Sequence, residues 1–425
     1  METMIQGRFA AAAVCACLTV APCRASLDAF DLCSPKDGDH FEVTKPLLFW
    51  QSSVGADHYA IFIDGSQVAE VPATPVPILS YAVATALSPG SHHWYIRAES
   101  DLGGKLTSTA FSFTVDSSSH WPAWAIGPFV RYGENPILRP CGQGWENWNI
   151  YNPGVIFDHG KFLMLYRGQE KQINGTHQET LSRIGYAESL DGVTFLQNSI
   201  PVIDATKPYE TKWGAEDARL VRYEGKYYAF YTGNPNEKAG QICLCEAIST
   251  NCINWKKLGI IETGTKNGAI LRDPFGTPVK VHGKFVMYTG DSKFGVCYSQ
   301  DLKKWGPITW IDPKFPAGWT TPYEPCVAVA NYSDNPENIV LFIAGRLNGE
   351  GRWYYAISEM LFSKSNTASK VAQLDDCIMK PRESYESGTF QNCIWMNSII
   401  LHDGQWWMHY GAGDRYIGLA TAPVK

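Results

Sequence analysis

DHGKFLMLYRG, residues 158–168, is a tight polar turn feeding an apolar and aromatic strand that stops at a glycine. The phrase returns as YEGKYYAFYTG (223–233), VHGKFVMYTGD (281–291) and HDGQWWMHYGAG (402–413). A degenerate copy, NPENIVLFIAGR (335–346), fills the widest gap. A further strand follows each copy: IGYAESLDGVTF, ICLCEAISTNCINW, FGVCYSQDLKKW, WYYAISEMLF and YIGLATA. Strands recurring at roughly 60 residues mark propeller blades, sheets that bury their faces only by stacking on neighbours. Five copies predict an all-β, five-bladed β-propeller over residues 128–425. FVRYGENPILRP (129–140) is expected to give a strand that closes the ring, leaving fewer free edges.

Upstream, LLFW, HYAIFIDG, VAEV, HHWYIRAES and TAFSFTV read as short alternating strands separated by turn residues. Residues 27–116 are therefore expected to form a small β-sandwich, and LSPGSHHWYIRA resembles a turn and strand found late in fibronectin type III domains. This unit carries no acid–base constellation, which suits a spacer or accessory module. Residues 116–120, DSSSH, read as a linker.

Arg8 followed by FAAAAVCACLTVA and small residues up to Ala25 reads as an export signal, residues 1–25. The expected location is secreted, periplasmic or at the cell surface, with VCAC (14–17) leaving lipid attachment open. No later run of about 18 apolar residues predicts a transmembrane segment. Net charge is −6 and the basic residues are scattered, so no nucleic-acid partner is expected. Nine of the 12 cysteines lie beyond the signal, without paired C-x-x-C clusters. No structural zinc, other metal or cofactor is expected. Buried thiols are the plain expectation, with disulfides possible after export.

In a propeller the innermost strand of each blade lines the central channel, and its first residues sit near one mouth. Those positions read Asn152-Pro153, Glu216-Asp217, Asn267-Gly268, Glu324-Pro325 and Asn392-Cys393. Strand-start acids and asparagines often just bond turn amides. Five polar positions in register instead predict a funnel. Adjacent strand residues face opposite sides, so only one of Glu216 and Asp217 is expected to point inward. Arg219 shares the face of Asp217 and is expected to hold it or to touch substrate. Trp145, Trp148, Trp213 and Trp319 precede inner strands, where they could stack on sugars or pack in loops. Trp406 and Trp407 read as core.

With these positions in hand, the chain resembles glycoside hydrolase family 130 over about residues 133–425. The resemblance rests on NPILRP, YNPGVIFDHGKFLMLYRG, SRIGYAESLDGVTF, GAEDARLVRYEGKYYAFYT, SYESG and YGAGDRYIGLATA, the last including Asp414. It implies action on β-mannosides with inversion, by phosphorylases or hydrolases, with Asp217 as general acid and Arg167 near the sugar or an anion. The family's proline after the aspartate is Ala218 here. Two phosphate-binding stretches of the phosphorylases, His-Arg-Pro and Tyr-His-Gly, are Tyr288-Thr289-Gly290 and Ile343-Ala344-Gly345-Arg346 here. Their loss favours water as nucleophile, with Arg346 as partial compensation for a phosphate. Inverting hydrolysis needs a second carboxylate as base. Glu324 is the first candidate and Glu386, in SYESG, the second. The expected partner is an oligo- or polysaccharide, a β-mannoside by the resemblance. Alternatives are phosphorolysis, a non-catalytic carbohydrate-binding propeller, or another five-bladed glycosidase. The last usually has an aspartate where Asn152 stands.

Overall fold

Four of the five repeats turn on a residue pair in which both members are left-handed: His159-Gly160 (φ 50° and 75°), Glu224-Gly225 (48°, 72°), His282-Gly283 (49°, 76°) and Asp403-Gly404 (47°, 72°). Such two-residue turns match the twist of antiparallel strands, and their second position favours glycine. The flanking runs therefore pair as hairpins. In this computed structural model the described residues are 26–117, 121–142, 144–171, 180–235, 240–291, 293–330, 336–349, 352–388 and 392–425. The expected export signal and linker residues 118–120 lie outside them.

The hairpins build five sheets. Blade 1 runs outward through Asn149–Asp158, Lys161–Gln169, Ser182–Ser189 and Leu196–Gln197. Blade 2 comprises Gly214–Tyr223, Lys226–Asn234, Cys243–Ser249 and Trp255–Thr263. Blade 3 comprises Ala269–Arg272, Lys284–Gly290, Phe294–Ser299 and Thr309–Ile311. Blade 4 is longer, with twelve-residue strands Trp319–Ala330, Asn338–Gly349 and Arg352–Ser363, then Lys370–Gln373. Blade 5 has Asn392–Met396, Gln405–Ala412 and Tyr416–Pro423. Its outer strand is Val130–Arg131, which pairs with Thr421 and Ala420 and closes the ring.

The core lies between blades, as stacking requires. Ile156, Leu165 and Ile184 of blade 1 meet Ala215, Leu220 and Ala229 of blade 2. The other seams repeat this pattern, that between blades 4 and 5 burying Phe342 and Ile357 against Ile394, Trp406 and Met408. All nine cysteines among the described residues are free, and all but Cys141 are buried.

Residues 32–115 form two facing sheets. One holds Leu32–Ser34, Leu47–Gln51 and Ile78–Ala82; the other holds Asp39–Phe41, Phe111–Val115, Gly90–Glu99, His58–Ile63 and Ser66–Pro72, with Lys105–Thr107 beside Gly90–Glu99. Trp50, Tyr59, Trp94 and Phe113 fill the space between them. The outer side of this sandwich docks on the propeller. Phe49 meets Trp407 edge-on at 5.6 Å and Tyr132 at 5.0 Å. The Ile78 amide donates to Asp191 Oδ2 (3.1 Å), and Gln405 Nε2 donates to the Lys45 carbonyl (3.4 Å). Asp191 follows the third strand of blade 1 and Gln405 follows the inner turn of blade 5, both at the end opposite the starts of the inner strands. The sandwich therefore stays clear of the polar mouth.

Candidate active site

The inner strands begin with a departure from regular β-structure. Asn152, Asp217 and Asn267 have φ of 50°, 55° and 62°. Strand register slips at Tyr151/Gly154 and at Glu216/Arg219. Asparagine and aspartate tolerate this left-handed region better than other non-glycine residues. A bulge of this kind breaks the period-two alternation of side chains. The expectation that Glu216 and Asp217 point oppositely is thereby corrected: both carboxyl groups meet one guanidinium. Arg167 Nη2 lies 2.9 Å from Glu216 Oε1, and its Nη1 lies 3.5 Å from Asp217 Oδ1.

The surrounding contacts hold this group rigid. Asn152 Nδ2 donates to Asp217 Oδ1 (2.8 Å) and Arg167 Nε to Ser182 Oγ (2.8 Å). The Arg167 guanidinium covers the Tyr151 ring at 4.8 Å. Arg219 reaches the backbone, not the carboxylate, of Asp217. Its Nη1 donates to the Asp217 carbonyl (2.9 Å) and to Asn267 Oδ1 (2.7 Å), and its Nη2 to the Pro325 carbonyl (3.3 Å). Asn267 in turn donates through Nδ2 to Glu324 Oε2. An unbroken chain of contacts thus runs from Asp217 to Glu324 across blades 2, 3 and 4.

Glu324 also faces a cation. Lys266 Nζ lies 3.0 Å from its Oε1 and 3.4 Å from Asp291 Oδ1. Burial raises Glu324 above the usual carboxylate range, and Lys266 works against that rise. Burial alone would depress Lys266, but Glu324 and Asp291 outweigh it and hold the ammonium charged. Burial likewise pushes Glu216 up to about 7, with Arg167 opposing and Asp217 adding to the rise. Two acids share one guanidinium at this point, so a proton is retained there toward neutrality.

The remaining expected site residues divide. Asp414, with φ 52°, lies close enough for its charge to act on Arg167, Tyr151 and the Cys393 thiol. Arg346 stacks on the Trp353 ring at 4.8 Å and pairs in register with Tyr355, which senses both Glu324 and Arg346. Asn392 opens the inner strand of blade 5, bridging Tyr354 and Ser387 at the seam with blade 4.

Glu386 is a correction. It is fully buried, receives Arg131 Nε at 2.7 Å and Nη2 at 3.0 Å, and accepts from the Tyr410 hydroxyl (2.9 Å). The same latch occurs twice more. Tyr166 donates to Glu146 (2.6 Å) beside Gln197, and Tyr231 to Glu210 (2.8 Å) beside Lys257. Each glutamate ends a short 3₁₀ turn ahead of an inner strand. Glu386 is a fastening of the fold with its oxygens already bonded, and not a spare base.

Lys266 and Asp291 were missed from the sequence. The available signal was adjacency: one precedes Asn267, and the other follows the glycine ending VMYTG. Trp406 and Trp407 are core, each 2 % exposed.

Residues 132–425 match the family model described as beta-1,4-mannooligosaccharide phosphorylase. The chain belongs to glycoside hydrolase family 130. A curated family 130 relative, the 1,2-beta-oligomannan phosphorylase of Thermoanaerobacter sp. (strain X514), is 26 % identical over 300 residues, 69 % of this chain and 97 % of that protein. The beta-1,2-mannobiose phosphorylase of the same organism is 26 % identical over 313 residues, 69 % and 96 %. Among solved structures, a glycosyl hydrolase from Bacteroides ovatus superposes with TM-score 0.65 at 27 % identity, covering 72 % of this chain and 98 % of that one. Another, with TM-score 0.66, 27 % identity and coverage of 73 % and 98 %, is described by the words "The GH130 family of mannoside phosphorylases contains glycoside hydrolases that target beta-1,2 mannosidic linkages in Candida mannan". The chain is thus a five-bladed propeller of a glycoside-active enzyme family.

Proposed function

We propose that the protein cleaves β-mannosidic bonds with inversion, with Asp217 as general acid and Glu324 as the base that activates water. The observation that carries this reading is the commitment of Lys266 to Glu324. An inverting hydrolase needs an ionised carboxylate facing a proton donor across the sugar. Lys266 and Asn267 favour the ionised form of Glu324, while Glu216, raised to about 7 beside Asp217, keeps a proton near the leaving-group side. Two of the cations at the mouth are otherwise engaged: Arg167 with Glu216 and Asp217, Lys266 with Glu324 and Asp291. The strand end Tyr288-Thr289-Gly290 of blade 3 itself carries no cation. Tyr288 donates to the Thr367 carbonyl (2.7 Å), and Thr289 bonds Thr265 (2.9 Å). The proposed export of the chain, read from residues 1–25, fits hydrolysis, since phosphorolysis conserves bond energy only where its sugar phosphate stays inside the cell.

A second reading, phosphorolysis, is favoured by the two curated relatives and by the family's description. Arg346, whose buried Nε has no partner, is then the candidate guanidinium for the phosphate. Both relatives are named for β-1,2-linked substrates, which makes β-1,2-mannobiose the first to try. Incubation with and without phosphate decides between the readings. Hydrolysis yields mannose in both; strict phosphate dependence with mannose 1-phosphate as product overturns it.

The base assignment has its own test in the pH profile. Lys266→Met removes the charge that offsets burial, so Glu324 holds its proton more tightly. The acid limb of the kcat/KM profile is then expected to move to higher pH. An unmoved limb means that another group sets it.

A further inference from the structure

The registers of blade 3 bring a groove to the same end of the propeller as the catalytic mouth. Gly290, ending the second strand, donates its amide to the Lys266 carbonyl at 3.0 Å. Phe294, opening the third strand, pairs with Gly290 on one side and with Ile311, ending the fourth, on the other. All three strand ends are therefore level with Lys266. The chain then crosses to Trp319, the first residue of blade 4's inner strand. Between the outer strand of blade 3 and this crossing lies a groove of about 560 Å³, lined by Lys293, Trp310, Asp312, Lys314, Phe315 and Trp319 among others.

A relay of contacts joins the groove to the acids of the mouth. Glu324 bonds Lys266, Lys266 bonds Asp291, and the Asp291 amide donates to the Lys293 carbonyl at 3.2 Å. Lys293 Nζ stands 5.8 Å from the centre of the Trp310 ring. That ring is 46 % exposed, whereas Trp319 at the inner end is buried. Asp312 and Lys314 pair at 2.6 Å on the rim, offering an acceptor beside ammonium donors. A half-exposed indole gives the C–H side of a pyranose a surface to cover, while a few polar groups around it meet the hydroxyls.

We infer that this groove is a distal sugar-binding site, holding pyranose units of a bound oligosaccharide outside the chamber where the bond is cut. Its occupant is taken from the function proposed above: a β-mannoside longer than a disaccharide. Trp310 is the platform, and Lys293, Asp312 and Lys314 are the hydroxyl partners.

The test uses the full chain carrying Asp217→Asn, so that ligands survive, and measures binding of β-1,2-mannobiose and β-1,2-mannotetraose by calorimetry. The tetrasaccharide is expected to bind about tenfold more tightly than the disaccharide, and Trp310→Ala in the same background to remove that difference. Lys293→Ala is expected to remove part of it. Equal affinities for the two sugars, or a Trp310→Ala loss shared by both, overturn the site. The function proposed above is read separately, from turnover of the disaccharide by the unaltered chain. If that turnover is absent while the Trp310-dependent preference persists, the groove stands and the catalytic reading falls.

Discussion

Asp217→Asn is expected to lower turnover of β-1,2-mannobiose by about 10²–10⁴-fold, the usual contribution of a general acid. The substitution is close to isosteric. Its amide oxygen can still accept from Asn152 and lie beside Arg167, so the pocket keeps its shape. What disappears is proton delivery to the departing oxygen. A nitrophenyl β-mannoside, whose leaving group needs little protonation, should therefore lose far less than the disaccharide. A purely structural role predicts equal losses on both substrates. Turnover of the disaccharide at the wild-type rate would falsify the assignment outright. Glu324→Gln, by contrast, should slow both substrates alike, because attack by water is needed whichever group departs.

The second large effect falls on stability. Glu386→Ala removes the fully buried carboxylate that pairs with the half-buried Arg131 guanidinium on the strand that closes the ring. It also removes the acceptor of the Tyr410 hydroxyl and of the amides of Arg382 and Glu383, which donate to Glu386 Oε2 at 2.7 and 3.0 Å. Breaking a buried ion pair from one side costs about 3–5 kcal/mol, because the remaining charge is left uncompensated. Denaturant unfolding should show a lower midpoint, and the folded fraction should keep a near-normal kcat. A variant as stable as the parent but devoid of activity would restore Glu386 to the chemistry.

Much of the scaffold was legible because a blade cannot be stable alone. Its inner turn, aromatic strand and terminal glycine had to recur, and DHGKFLMLYRG announces them. The polar starts of the inner strands were legible for the same reason: equal phase in five sheets means one meeting point. The bulge at Asp217 was hidden, since no residue pattern marks where alternation fails, and with it went the true direction of Glu216. Lys266 was hidden because a lysine beside an asparagine looks like a solvated loop until the neighbouring blade places Glu324 against it. The role of Glu386 was readable in principle. Trp145-Glu146, Tyr209-Glu210 and Tyr385-Glu386 recur ahead of three inner strands, and a motif repeated by the scaffold is better assigned to the scaffold. Trp310 escaped because it sits on an outer strand, where repeats constrain little.

The contact made by Phe49 bears on how this molecule tolerates dissection. Its ring is 1 % exposed, and the surfaces covering it, Tyr132 and Trp407, belong to the propeller. Proteolysis or truncation near residue 120 would strip a lid from those rings and bare an oily scar on the remaining fragment, of the kind that drives clumping. The front segment therefore behaves as a glued cap, and heritable loss of it would call for repainting of the scar with polar side chains.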